Sequence, residues 1–83
     1  MGQTRRRKPK RLARKLFAIR KALGLSQTEM AKVLDLKASY TSVSGFERGK
    51  REPDLIVLLR YARLAKVPME VLVDDKLSLA KKP

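Results

Sequence analysis

The 83-residue chain contains neither cysteine nor histidine. The first absence excludes a disulfide staple and a thiolate nucleophile. The second removes the commonest metal ligand and the usual proton shuttle at neutral pH. Long apolar runs are also missing: the longest, Leu55 to Leu59, has five residues, against the roughly 20 needed to cross a bilayer. The basic N-terminus is not followed by an apolar secretory segment with a cleavage site, so a cytoplasmic protein without membrane contact is expected. Acids are scarce as well, eight against 21 lysines and arginines, for a net charge of +13. Glu47, Glu70, Asp74 and Asp75 show no spacing that pairs two carboxylates around a nucleophile or base. An enzyme is therefore not expected, nor are a catalytic residue, a metal, a cofactor or a small-molecule ligand.

What is present is positive charge, concentrated at one end. Residues 1–21 hold ten of the basic side chains and none of the acids, which leaves +3 for the rest of the chain. Such a front end is drawn to phosphate. Residues 1–8 have almost no apolar content and cannot offset ordering entropy, which predicts a disordered basic arm. Arg5, Arg6, Arg7, Lys8 and Lys10 are its candidate backbone-contacting cations. They would supply salt-dependent affinity for a nucleic acid but no choice of sequence. A basic tail that serves only solubility is the bland alternative.

A chain this short buries only about 60% of its unfolded surface, so the core must be economical and single. From Lys10 the pattern turns helical. Leu12, Leu16, Ile19 and Leu23 form one apolar stripe, with Arg14, Lys15 and Lys21 away from it. Pro9 suits the first turn and Gly24 the left-handed position after the helix. Ser26-Gln27-Thr28-Glu29 has capping-box spacing and starts a second helix over about Gln27 to Leu34, with Met30, Val33 and Leu34 inward. Gln27 on its first turn can meet a phosphate. A third helix is expected from Ser39 or Tyr40 to Glu47, with Val43 and Phe46 inward and Tyr40, Thr41, Ser42, Ser44 and Gly45 outward. Leu36 plugs the turn before it. Small hydroxyls on that face permit close approach to base edges, and they read sequence loosely.

Gly49 fits a left-handed cap, Lys50 and Arg51 follow it, and Asp54 caps a fourth helix from Leu55 with Leu55, Leu58, Leu59 and Ala62 inward. Ile56, Val57, Tyr61 and Leu64 widen the apolar surface beyond one stripe, which suggests a partner surface as well as core packing. Pro68 opens a short fifth helix with Val71 and Leu72 inward. Domain organisation is thus expected as an arm (1–8), one helical domain (9–75) and a flexible tail (76–83).

Three blocks in this order resemble the phage-repressor and Cro-like (XRE-type) helix-turn-helix regulators. They are Ile19-Arg20 with Gly24 to Ala31, then Val43 to Pro53, then Val67 to Leu72. The resemblance covers about Leu12 to Asp75. It implies an all-α bundle of five helices whose third helix lies in the major groove of duplex DNA. Carried over residue by residue, it gives Gln27 and Thr28 on the second helix as DNA contacts. Ser39 and Tyr40 to Gly45, including Thr41, Ser42 and Ser44, become the reading region, and Arg48, Lys50 and Arg51 become backbone contacts. Arg20 and Glu47 match positions that form an internal ion pair in the family. One departure stands out: the stretch between Ala31 and Glu47 is two residues longer than the commonest family spacing, with the surplus around Lys37 to Ser39. Tyr40 then either stacks on a sugar or fills the widened turn. The implied function is operator binding by a transcriptional regulator that represses by occlusion, most simply as a homodimer on a palindrome. An antitoxin that masks a small toxin protein and controls its own promoter is the alternative. Attraction to any polyanion by charge alone is a third.

Overall fold

The computed structural model of the chain describes residues 10–35 and 40–79. Five helices follow in order: α1 Leu12–Leu23, α2 Gln27–Val33, α3 Tyr40–Glu47, α4 Leu55–Ala65 and α5 Met69–Val73. There is no strand among the described residues, and no helix is long and apolar enough to cross a membrane. Arg5 to Lys8, Pro9, Leu36, Lys37 to Ser39 and the last four residues of the expected tail lie outside the described residues.

Local chemistry sets each boundary. α1 ends in a Schellman turn: Gly24 sits at φ 72°, its N–H donates to the Lys21 carbonyl, and the Leu25 N–H reaches back to Arg20. That turn folds Leu25 onto the core. Immediately afterwards the Ser26 hydroxyl accepts from the Glu29 N–H at 3.0 Å while the Glu29 carboxylate accepts from the Ser26 N–H at 2.8 Å, so α2 starts on a complete capping box. Asp54 caps α4 by accepting from the Val57 N–H at 3.0 Å.

The core gathers Leu12, Leu16 and Ile19 of α1, Met30 and Ala31 of α2, Leu34 just after it, Val43 and Phe46 of α3, Val57, Leu58, Tyr61 and Ala62 of α4 and Leu72 of α5. Phe46 and Tyr61 meet edge to face, with centroids 6.5 Å apart.

Several expected positions differ. Leu23 and Val33 are exposed, because each closes its helix beyond the last buried turn and Leu25 and Leu34 take the covering role. α4 is rolled from its expected phase: Leu55 is 67% exposed and Tyr61 fully buried. Nearly every α4 position is apolar, so two phases satisfy the pattern. The adopted one brings the largest side chain to the centre. Lys15 is buried rather than outward. Its ammonium donates to the carbonyls of Val71 at 2.6 Å and Asp74 at 3.0 Å, satisfying the end of α5 where a cation is favoured. Burial lowers the Lys15 pKa, and Asp75 opposes that shift. Of the described residues of the expected tail, Leu79 packs on the core, and Lys76 and Ser78 are exposed.

Asp75 supplies what α1 lacks locally. No side chain of the adjoining sequence caps that helix, but the Asp75 carboxylate accepts from the N–H groups of Lys10 at 2.9 Å and Arg11 at 3.0 Å.

The Tyr61 hydroxyl is buried without a partner among the described residues, and burial, with the Glu47 charge next, raises its pKa. Tyr61→Phe keeps the ring and deletes that unmet group, so it should raise stability by about 1 kcal/mol in denaturant titration; a loss would reveal a partner for the hydroxyl. Backbone hydrogen bonds hold the Glu29 and Asp75 carboxyls below their ordinary values of 4.5 and 3.8. Both groups bind protons more weakly folded than unfolded, so their contribution is full above those values and is lost as pH falls through the depressed ones. In thermal melts Asp75→Ala should therefore lower the melting temperature at neutral pH, and the gap to the parent should shrink as pH falls below the ordinary carboxylate value of 3.8.

Candidate nucleic-acid interface

A carboxylate sits where α1, α2 and α3 meet. Glu47, the last residue of α3, accepts from Arg20 Nε at 2.7 Å and Arg20 Nη2 at 3.0 Å, and from Gln27 Nε2 at 3.2 Å. The side chains of Arg20 and Glu47 are 11% and 4% exposed. The third nitrogen of the guanidinium, Nη1, donates to the Leu25 carbonyl at 2.9 Å. Bonding to Glu47 raises the Arg20 pKa against the opposing effect of burial. The fork-on-fork geometry fixes direction as well as distance. It holds the end of α3 against the N-terminus of α2, which is the relative placement a helix-turn-helix needs. Gln27, carried over from the resemblance as a DNA contact, is thus half-buried and shares the carboxylate; Thr28 beside it is exposed.

α3 is a poor helix by propensity, with Ser, Thr and Gly prominent. Packing of its fully buried Val43 and of Phe46 holds it. Of the expected reading positions, Thr41 is exposed, Ser44 half-buried, and Ser42 and Gly45 buried. The outward assignment of Ser42 and Gly45 is therefore corrected: the side chain of Arg51 lies along that flank, with Nη1 3.0 Å from Ser42 Oγ. Ser39 and the side chain of Tyr40 are outside the described residues.

The corner after α3 is a second Schellman turn. Gly49 adopts φ 73°, its N–H donates to Phe46, and the N–H groups of Lys50 and Arg51 both donate to the Gly45 carbonyl, at 2.9 and 3.2 Å. Arg48, Lys50 and Arg51 are exposed around this corner, so three cations have a backbone direction fixed relative to α3. Lys10, the last cation of the expected arm, is exposed with its N–H held by Asp75.

Two contributions escaped the sequence reading. Phe17 is 44% exposed on α1 with the Arg20 guanidinium carbon 5.4 Å and the Lys21 ammonium 5.9 Å from its ring centroid, which steadies both cations beside the Glu47 junction. Its place in the helical pattern, between core positions, gave the only signal. Asp75 pins the root of the arm from the far end of the chain, and no local pattern marks it.

Removing one partner of a buried, hydrogen-bonded pair leaves the other charge unmet. Glu47→Ala should destabilise the fold by about 3–5 kcal/mol in urea unfolding. An unchanged midpoint would mean that the junction contributes nothing to stability.

Known proteins place this arrangement. Residues 16–72 match the family model described as helix-turn-helix. The antitoxin HigA1 of Mycobacterium tuberculosis, from strains CDC 1551 / Oshkosh and H37Rv, is 44% identical over 54 residues, which is 65% of this chain and 35% of the relative. The chain thus spans about a third of the length of the curated relatives it matches. Among solved structures, the P22 c2 repressor protein, crystallised in complex with the synthetic operator 9T, superposes with a TM-score of 0.68 at 23% identity. That match covers 77% of this chain and 94% of that one, and at such identity it speaks for the shared fold. With the family model spanning most of its length and the Glu47 junction binding α1, α2 and α3, the chain belongs to the helix-turn-helix family of phage-repressor and Cro-like type.

Proposed function

We propose that this protein binds duplex DNA at preferred sequences and regulates transcription, repressing by occluding an operator. The observation that carries this reading is the α3 corner. Thr41 and Ser44 lie toward solvent on a helix whose end is locked by Glu47, and Arg48, Lys50 and Arg51 flank it at fixed positions. Cations supply affinity by releasing counterions, and hydroxyls meet base edges. The +13 charge and the basic front end favour fast encounter with a polyanion. Such a role puts the protein in the cytoplasm, on the nucleoid.

A homodimer on a palindrome is the simplest working form. Leu55 and Ile56, 67% and 54% exposed at the start of α4, offer apolar surface for a partner. Two-fold pairing would set the reading helices about 34 Å apart. A second reading is favoured by one observation, the match to relatives named as antitoxins: the same fold would then mask a small toxin protein while controlling its own promoter. Stable co-purification with the product of an adjacent gene would favour this second reading.

The test is selection from a random duplex library, followed by titration of the selected and a shuffled duplex. The selected duplex should bind more tightly. Affinity should fall by about 10³- to 10⁵-fold between 50 and 200 mM salt if six to ten phosphates are met. Equal affinity for both duplexes would leave attraction by charge alone, and a flat salt response would remove the electrostatic account.

A further inference from the structure

The residue that lies across the flank of α3 comes from outside that helix. Gly45 is helical, and its backbone is not in the left-handed region, where Gly24 and Gly49 stand among the described glycines. The conformation therefore does not require glycine; space does. A Cβ on Gly45 would lie 3.0 Å from Arg51 Cβ and 3.3 Å from Arg51 Cδ, tighter than ordinary contact, so the Arg51 stem would have to shift to admit it. The stem of Arg51 occupies the place that a side chain at position 45 would fill. One turn back along the helix, Ser42 Oγ accepts from Arg51 Nη1 at 3.0 Å. Two backbone bonds to the Gly45 carbonyl, from Lys50 and Arg51, fix the root of the same side chain.

We infer that Arg51 is a base-reading residue of the DNA interface, contributed to the α3 reading face from the following corner and aimed by Ser42, with guanine as its target. This rests on the proposed DNA binding and changes the role of Arg51 within it from backbone contact to sequence reader. A phosphate contact needs an exposed cation with freedom to follow the backbone, as Lys50 and Arg48 provide. Holding a guanidinium against a buried hydroxyl sacrifices that freedom and fixes its direction. Direct readout of a base edge needs that fixed direction, because arginine meets guanine O6 and N7 through two parallel N–H groups. Ser42 engages Nη1, a guanidinium carries further N–H donors on Nε and Nη2, and the residue is exposed. Position 45 lies on the helix flank that also carries Thr41, four residues earlier. The arginine therefore adds a long, directional donor to a face otherwise made of short hydroxyls.

The experiment selects duplexes from a random library with the full-length parent, Arg51→Met, Ser42→Ala and Lys50→Met. Each is then titrated against the parent-selected duplex and a shuffled one. The parent motif should contain a guanine in each half-site. Arg51→Met should lose preference at that base pair alone, and weaken the selected duplex by about 5- to 150-fold, with the shuffled duplex changed less than about twofold. Ser42→Ala deletes one oxygen in an intact helix. It should relax preference at the same base pair, and adding it to Arg51→Met should cost nothing further, which a merely structural role for either residue would not produce. Lys50→Met should weaken both duplexes alike and lower the salt slope by about one. An Arg51→Met motif identical to the parent's, or uniform weakening with the slope lowered by about one, would overturn the assignment to Arg51 while leaving sequence-specific binding in place. A parent that selects no motif would overturn both together.

Discussion

The Glu47 carboxylate is the constraint on which the rest of the structure depends. It is almost fully withdrawn from solvent, where an unpaired charge would be intolerable. Its position is therefore permitted only while Arg20 and Gln27 reach it together. Its acceptor bonds tie two helices to the third: α1 through the guanidinium and α2 through the amide, with the carboxylate itself belonging to α3. Apolar packing alone leaves small rotations of short helices inexpensive. α2 and α3 have only seven and eight residues, too few to be stable in isolation. A buried polar junction penalises such rotations steeply, since any rotation breaks a charged bond in a low dielectric. The angle between the α2 N-terminus and α3, the quantity a groove-binding unit must keep, is held by electrostatics on a scaffold that apolar burial assembles.

A second polar fastening closes the chain on itself. Lys15 and Asp75 act at the same end of the bundle in opposite senses. The lysine satisfies carbonyls at the end of α5, while the aspartate satisfies N–H groups at the start of α1. Both exploit the unmet backbone groups of helix termini, and together they join segments about sixty residues apart. The arm-root cation Lys10 is thereby anchored to the bundle through its own backbone N–H. Lys10, Arg11, Arg14 and Lys21 stay exposed, whereas the buried charge of Lys15 is consumed internally.

The fold was legible in the sequence wherever a local rule had one solution. The capping box at Ser26 and Glu29, the glycine corners at Gly24 and Gly49 and the Asp54 cap each follow from unmet N–H or carbonyl groups that only a few residue types satisfy. α1 to α4 begin or end where those signals put them. Legibility failed where a pattern had two solutions or a partner was remote. The run from Leu55 to Leu59 is apolar on every side, so its periodicity could not choose the roll that buries Tyr61. Lys15 reads as surface because a lysine beside a stripe usually is, and the carbonyls that bury it come from the other end of the chain. The candidate interface divides the same way. The cations at 48, 50 and 51 and the ion pair of Arg20 with Glu47 were implied by the family resemblance. The covering of Ser42 and Gly45 was not, because it depends on where a side chain nine residues away is laid down.

Hydroxyls on a short helix raise a quantitative difficulty that the rest of the architecture must answer. Specific complexes exceed non-specific ones by roughly 4–10 kcal/mol, and each good directional base contact supplies about 1–3. On the proposed reading Thr41 and Ser44 would accept several base identities, so a single domain with only these would discriminate weakly, and the large charge would favour every duplex almost equally. Two devices raise discrimination without enlarging the domain. Two-fold association doubles the reading while doubling the non-specific attraction, so it also needs contacts that distinguish bases. A directional guanidinium held on the α3 flank, as proposed for Arg51, would add discrimination per domain, because a wrong base would leave its donors unmet in a desolvated groove. The two devices multiply. In a small helix-turn-helix with so high a net charge, the number of aimed contacts per half-site, more than total affinity, therefore sets how selective the protein is.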